Sequence, residues 1–407
     1  MRLVLATALG KLISFLTRNF KIGGGSAAPG LYALKICPDL VEQLSRRIQK
    51  NVVITGTNGK TTTAKMLAHF AKTSGLKVIR NHTGSNLERG IASTLISCVN
   101  LRGFKLNFDL GIWELDEAAF NTVAPKLNPS IVVMLNVSRD QLDRYGEMDK
   151  IVSNWCKTLG KLSSDTKLLI NGDDKNLSKL QPCFNGKMLK FGLPANIKLN
   201  GLNGSNFKFL GYSVNLLLPG VYHIYDTVAA LTTANILKLP INKCIESLKT
   251  FKPAFGRVEK LPFGYIFLIK NPAGATQVFE TIAPNIKSND RLLFALNDNL
   301  ADGTDVSWIW DGEFEKLPTT NYLPARQAGQ LPTICSGTRA YDLALRLKYA
   351  GFDTKRINVE PDLKKALQEA RIDLKGQLFI LPTYTAMLEL QSLLTKSGLK
   401  KHYWEEA

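Results

Sequence analysis

Residues 55–63 read Thr-Gly-Thr-Asn-Gly-Lys-Thr-Thr-Thr, directly after the apolar run Val52-Val53-Ile54 and directly before a stretch of helical periodicity. No other string in the chain restricts the fold so tightly. A strand, a glycine-bearing loop and a helix in immediate succession turn backbone N–H groups toward one point. The helix N-terminus adds partial positive charge there, so the loop suits phosphate oxygens. Lys60 stands where a point charge reaches outer phosphates, and Thr61 where a hydroxyl can hold Mg²⁺. The full phosphate-loop pattern needs glycine at position 54, which is Ile54 here, so this is a shortened form.

Such a loop requires a sheet around it, and the flanking pattern supplies one. Helical spacing over 62–74 and 89–99 alternates with short apolar runs at 77–80, 110–114 and 131–136. That alternation predicts a parallel sheet in an α/β domain. Glu114 closes one predicted strand, at the sheet edge where open α/β folds bind ligands, and its oxygens suit Mg²⁺. In the same segment Asp116 reads as a helix N-cap, with Glu117 in the first turn.

Residues 168–218 are richer in Gly and Asn and read as a hairpin region; helical spacing returns over 227–237. After a predicted linker at 253–256, strands at 265–269, 292–296 and 378–381 alternate with helices over 339–349, 362–370 and 385–396. The division expected is an N-terminal helical segment with a Gly-rich loop (1–48), a central ATP-binding domain (49–252) and a smaller C-terminal α/β, Rossmann-like domain (253–407).

Charge narrows the partners. Lys and Arg number 52 against 34 Asp and Glu, a formal +18. That favours anionic partners such as nucleotides, pyrophosphates or phospholipid head groups, or is simply a solubility charge. No helix-turn-helix, RNA-recognition aromatics or zinc finger is evident, so a nucleic-acid partner is not expected. Six cysteines at 37, 98, 156, 183, 244 and 335 form no CxxC pair. They are read as buried free thiols of a reducing compartment. The first twenty residues, interrupted by Lys11, are too short and too charged to span a bilayer. They predict a basic amphipathic helix that either lies on an anionic membrane surface or packs on its own domain. Gly23 to Ser26 and Pro29-Gly30 are read as the loop that breaks it.

The motifs resemble a known family. The loop at 55–63 is similar to the nucleotide loop of the Mur ligase superfamily, and the segments 81–91, 114–120 and 139–147 resemble its MurT branch more than the amino-acid-adding members. Phe255 to Glu259 resembles the superfamily's link into the C-terminal domain; 271–278, 297–311, 338–351 and 381–388 resemble the C-terminal domain of that branch. The resemblance implies a Mur-ligase-like central P-loop ATPase domain. It also implies an ATP- and Mg²⁺-dependent ligase that amidates the D-glutamate α-carboxylate of lipid II through an acyl phosphate. Ammonia would come from a GatD-like glutamine amidotransferase in a heterodimer, in the cytoplasm or peripherally at the cytoplasmic face of the membrane.

Carried over by residue, the resemblance implies nucleotide contacts from Gly56, Thr57, Asn58, Gly59, Lys60, Thr61 and Thr62, and Mg²⁺ ligation by Thr61 and Glu114. Asn136 and Asp140 would line the phosphate and metal region, the segment Tyr222 to Asp226, with Tyr222, His223 and Asp226 as contacts, the adenine side, and Arg257 would close over ATP from the hinge. A C-terminal aspartate would complete the partner's Cys-His pair, Asp311 being the first choice and Asp305 the second. Two departures stand out. Four zinc-ribbon cysteines are reduced to Cys183 alone, so no zinc is expected, and adenine-side asparagines are replaced by His223 and Asp226. His82 lies within one of the shared segments, near the expected substrate side. The competing readings are an amino-acid-adding ligase without a glutaminase and a nucleotide-binding scaffold without turnover. The segments at 297–311 and 338–351 speak against the first, and the presence of Lys60, Thr61 and Glu114 against the second.

Overall fold

Among the described residues three helices precede the first sheet: α1 (Arg2–Asn19), α2 (Ala28–Ile36) and α3 (Leu40–Ser45). The computed structural model of the chain describes residues 1–19, 27–81, 86–100, 104–138, 148–253, 256–317 and 331–398. Pro29-Gly30, expected to lie in a loop, instead opens α2. Proline fits a first helical turn, where its missing N–H costs nothing. Gly30 is buried because α2 crosses the backbone of the later helix at Arg89, which a Cβ would strike. Residues 38–49, whose spacing also predicts a helix, form only the six-residue α3.

The central unit then alternates β1 (Lys50–Thr55), α4 (Lys60–Thr73), β2 (Val78–Arg80), α5 (Glu88–Cys98), β3 (Leu110–Glu114), α6 (Glu117–Leu127), β4 (Ile131–Met134), α7 (Met148–Leu159), β5 (Lys167–Asn171), α8 (Lys175–Ser178) and β6 (Lys187–Phe191). The six strands lie in the order β2-β3-β1-β4-β5-β6, and every pairing is parallel. Successive residues of β1 feed opposite cores. Val53 packs with Trp113, Phe120 and Trp155 under α1–α3 and α5–α7, while Val52 and Ile54 pack under α4. A three-stranded antiparallel sheet follows, β7 (Lys198–Leu199), β8 (Ser205–Phe209) and β9 (Tyr212–Leu216), then α9 (Val221–Ile236) and α10 (Ile241–Ser247). The stretch 168–218 is therefore only partly hairpin. Its first two strands extend the parallel sheet, because β5 and β6 are joined by a short helical crossover that the Gly- and Asn-rich composition hid.

The second unit comprises β10 (Arg257–Leu261), β11 (Gly264–Phe267), α11 (Pro272–Ile282), β12 (Arg291–Ala295), β13 (Thr333–Ser336), α12 (Ala340–Tyr349), β14 (Ile357–Val359), α13 (Leu363–Arg371), β15 (Leu378–Pro382) and α14 (Tyr384–Lys396). Its sheet runs β10-β11-β15-β12-β13-β14, parallel except for β10 at the edge. β13, β14 and α11 were not foreseen from sequence.

One cysteine expectation fails. Cys156 on α7 and Cys183, their Cα atoms 5.1 Å apart, form a disulfide across 27 residues. The pairing is tertiary, set by how α7 packs on the turn after α8, and linear spacing could not reveal it. Cys37, Cys98, Cys244 and Cys335 are free thiols. Among the described residues no helix is long and apolar enough to cross a membrane.

Candidate functional site

The loop between β1 and α4 is held from two sides. Gly56 and Gly59 have φ of 136° and 86°. A Cβ on Gly56 would press within 3.0 Å of the Asn136 backbone, and one on Gly59 would strike the Asp226 carboxylate, so both positions require glycine. The loop after β4 clamps it. Thr57 N–H donates to the Asn136 carbonyl (3.1 Å), Asn58 N–H donates to Asn136 Oδ1 (2.8 Å), and Asn136 Nδ2 donates to the Asn58 carbonyl (3.1 Å). From the second unit, Asn271 closes a reciprocal amide pair with Asn58 (3.1 and 3.3 Å). Asn271 also caps α11, accepting from Gly274 N–H at 2.8 Å.

Lys60 and Thr61 begin α4 and are buried. Lys60 curls over its own loop, donating to the carbonyls of Gly56 and Thr57, and sits 3.7 Å from Glu117. Thr61 Oγ1 donates to Glu114 Oε2 at 2.8 Å. The other oxygen, Glu114 Oε1, is buried with no hydrogen-bond partner among the described residues. The Glu114 backbone is fixed by Asn81, whose side chain accepts from Glu114 N–H and donates to its carbonyl, both at 2.9 Å. Burial pushes the Glu114 carboxyl above its ordinary value, opposed by the Thr61 hydroxyl and by Arg257, Arg80 and Lys60.

A buried carboxylate oxygen left unpartnered beside a threonine hydroxyl fits a hard divalent cation. Among the described residues no three His, Cys, Asp or Glu side chains converge. A cation here would thus be held by one or two protein oxygens, with substrate and water oxygens completing the shell, as suits Mg²⁺.

Next to the loop a cavity of about 350 Å³ opens between the two units. Asn58, Gly59 and Asn136 form its phosphate-side wall. Tyr222, His223, Tyr225 and Asp226, on the first two turns of α9, line another wall, and Arg257, Lys270 and Gln277 close it from the second unit. His223 is buried and its Nδ1 bonds the Pro219 carbonyl at 2.7 Å. A carbonyl only accepts, so Nδ1 carries the proton and Nε2 is left as an acceptor. Burial lowers the His223 pKa to about 4, so the ring is neutral. Asp226 lies against the loop, 3.5 Å from Thr63 Oγ1, and burial pushes its carboxyl up to about 7 despite Arg257. Burial and the hydrogen bond to Asp173 (3.0 Å) push the Tyr225 phenol up to about 12. Arg257 Nη1 donates to Thr62 Oγ1 at 3.3 Å, linking the edge strand of the second sheet to α4.

The expected site residues Gly56 to Thr62, Glu114, Asn136, Tyr222, His223, Asp226 and Arg257 thus converge. Asp305 and Asp311 do not. Both follow β12 and lie outside the cavity lining; Asp305 accepts from Ser307 N–H (2.8 Å), and Asp311 ends a 3₁₀ turn on the surface. Asp140 and His82 fall outside the described residues. Sequence reading missed Asn81, Asp173, Lys270 and Asn271, while Tyr225 lies inside the segment Tyr222 to Asp226 expected on the adenine side. A signal existed for Asp173: it stands just past the carboxyl end of β5, the edge where parallel sheets gather ligand groups. For the pairing of Asn271 with Asn58 there was none, since the two stand 213 positions apart.

Two family models match the chain, the Mur ligase middle domain over residues 54–234 and the MurT ligase C-terminal domain over 268–387. The subunit MurT of lipid II isoglutaminyl synthase (glutamine-hydrolyzing) from Streptococcus pneumoniae is 29% identical, over 92% of this chain and 93% of that one. Its counterpart from Staphylococcus aureus (strain COL) is 28% identical over the same shares. Among solved structures, a crystal structure of MurF from Acinetobacter baumannii superposes with a TM-score of 0.70 at 16% identity, covering 90% of this chain and 80% of that one.

Proposed function

The chain belongs to the Mur ligase superfamily, and from that premise we propose that it is the ATP-using subunit of a glutamine-dependent lipid II isoglutaminyl synthase. The observation that carries the chemistry is the pair Thr61–Glu114 at the phosphate loop, with Glu114 Oε1 buried and unpartnered beside a cavity walled by both units. On this reading residues 49–252 bind ATP, and 253–407 close the nucleotide cavity and face the glutaminase.

The reaction asks little covalent work of the protein. An oxygen of the D-glutamate α-carboxylate attacks the γ-phosphorus of ATP and ADP leaves. Ammonia then attacks the acyl carbon, loses a proton and expels phosphate, leaving the amide. The first step brings anions together, so the chain must offset negative charge and fix geometry. Backbone N–H groups at the helix start, Gly59 and Lys60, would hold phosphate oxygens, while those of Thr57 and Asn58 are spent on Asn136 and keep the loop in shape. Lys60 supplies a full positive charge at the same place. Mg²⁺, held by Thr61 and Glu114, would neutralise phosphate charge in the transition state. His223 Nε2, an acceptor in a neutral ring, suits the exocyclic amino group of adenine. Arg257 and Asn271, reaching Thr62 and Asn58 from the second unit, make closure of the cavity depend on the phosphate loop itself.

The relatives' name adds a glutamine-hydrolysing partner, and the proposal takes a GatD-like amidotransferase as that subunit. Asp311, or failing it Asp305, is the proposed aspartate that orients the partner's histidine. The substrate puts the reaction at the cytoplasmic face of the membrane.

The test is amidation of lipid II by the purified chain with ATP, Mg²⁺ and ammonium, read by mass spectrometry of the stem peptide. Conversion of one carboxyl to carboxamide is expected, and Lys60→Ala should abolish it. With the partner and glutamine, Asp311→Asn should lose glutamine-driven product while keeping ammonium-driven product. Product with a free amino acid and none with ammonium would overturn the proposal in favour of an amino-acid-adding ligase.

A further inference from the structure

The nucleotide cavity leaves one large feature of the molecule without use. Helix α1 has two faces. Leu3, Ala6, Thr7 and Gly10 are buried against α2 and α5, and a Cβ on Gly10 would come within 2.9 Å of Ile96, so this side is sealed by close helix contact. The opposite side is apolar and open. Val4 is 51% exposed, Leu5 60%, Leu12 53%, Phe15 62% and Leu16 40%. At 3.6 residues per turn these five fall within an arc of about 120°. A soluble surface rarely gathers so many large apolar side chains on one helical stripe.

Charge says what covers it. Residues 1–38 contain Arg2, Lys11, Arg18, Lys21 and Lys35 and not one Asp or Glu. By helical geometry Arg2 falls on one flank of the stripe and Lys11 on the other. Lys11 spends one donor on the Ser97 carbonyl at 3.2 Å. On α2, Lys35 lies 5.5 Å over the ring of exposed Tyr32. An apolar stripe with basic rims, its acidic neighbour Asp39 lying close to Arg2, matches an anionic bilayer surface, where the side chains enter the acyl boundary and the cations meet phosphates. A second copy of the chain is a poorer fit, because a two-fold contact through this stripe would bring the same basic rims together.

We infer that the outer face of α1 is a membrane-docking surface that seats the chain on a bilayer containing anionic phospholipid. The stripe joins the bilayer by burial of Leu5, Phe15 and their neighbours, and the basic rims set the preference for negative head groups. This inference rests on α1 and its neighbour α2 and stands apart from the ligase reading, since its test measures no turnover.

The experiment is flotation of the full chain with vesicles of phosphatidylcholine carrying about one-third phosphatidylglycerol, against vesicles of phosphatidylcholine alone. The chain should float with the anionic vesicles and only weakly with the neutral ones. The double variant Leu5→Gln/Phe15→Gln should lose about tenfold in partitioning while keeping its circular dichroism and melting temperature, because both side chains are exposed. Arg2→Gln/Lys11→Gln should weaken binding to anionic vesicles and leave the residual binding to neutral ones in place. Absence of wild-type flotation with anionic vesicles at low salt overturns the inference, as does binding that the apolar double variant leaves unchanged. A concentration-dependent dimer abolished by the same double variant, with no vesicle binding, would overturn it too and give the face to a second copy.

Discussion

At the carboxyl ends of their strands the two six-stranded sheets both bury polar groups, but they satisfy them differently. In the second sheet Asn297 donates to Thr385 (3.0 Å) and accepts from Thr338 N–H (3.0 Å), while Asp302 accepts from Thr385 N–H (2.8 Å). These bonds close a ring that ties the ends of β12, β13 and β15 to each other. In the first sheet the groups around the phosphate loop stay open. Among the described residues, Thr55 Oγ1, Glu114 Oε1 and Ser138 Oγ are buried without a partner. The orphaned groups of the second unit, Gln391 and Thr395, lie instead in the last two turns of α14. A closed network holds a fold; an open one at a sheet edge is built for something that arrives.

The largest expected effect tests the open side. Glu114→Gln removes a carboxylate that burial disfavours but that the chemistry needs. Turnover should fall by about a hundred- to a thousandfold, the scale of losing one charge-stabilising group. The thermal midpoint of the same variant should rise, because the replaced charge was buried at a cost. Scanning calorimetry beside the amidation assay checks both. A variant less stable than the parent would mean that Glu114 is a structural member of its sheet, and the contrast between the two sheets would collapse.

The opposite signature should appear on the closed side. Asn297→Ala strands the Thr338 N–H, which accounts for a loss of about 2 kcal/mol in chemical denaturation. The turnover number should stay within about twofold of the parent, since this ring lies outside the nucleotide cavity. A large fall in turnover with unchanged stability would place the ring in the reaction and break the comparison from the other end.

The same contrast explains what was legible in the sequence. The phosphate loop, Glu114 and the Asp116 cap depend on neighbours within a few residues, and their strand-loop-helix order is written in one line of text. The cap forms as read, with Asp116 Oδ1 accepting from Ala119 N–H at 2.7 Å. The amide pair Asn58–Asn271, the Tyr225–Asp173 bond and the Cys156–Cys183 bridge each join segments that only the finished fold brings together. No periodicity carries such information. β5 and β6 were missed for a different reason: their crossover is a four-residue helix, too short to leave a helical pattern. In α2 the local signal itself misled, since Pro-Gly usually marks a turn and here starts a helix, where a neighbouring helix needs the glycine.

The smallest effect is a slope, and it too belongs to the open side. His223 and Asp226 sit three residues apart on α9, both buried, with displaced pKa values of opposite sense. Folding lowers the His223 pKa from 6.5 to about 4, so between those values the unfolded chain binds the extra proton and stability falls as pH falls. Folding raises the Asp226 pKa from 3.8 to about 7, so the folded chain binds the extra proton and stability falls as pH rises through that window. Between pH 4 and 6.5 the two slopes oppose each other, each at most about 1.4 kcal/mol per pH unit, and the parent should show little dependence from this pair. Removing one partner exposes the other. Asp226→Asn should lose stability on acidification below pH 6.5, and His223→Asn should lose it on the way up from pH 4 to about 7, in urea titrations at a series of pH values. If both variants keep the parent's profile, neither side chain is held in its neutral form by the fold. The neutral acceptor proposed for adenine at His223 would then lose its physical basis, and a charged ring facing the cavity would take its place.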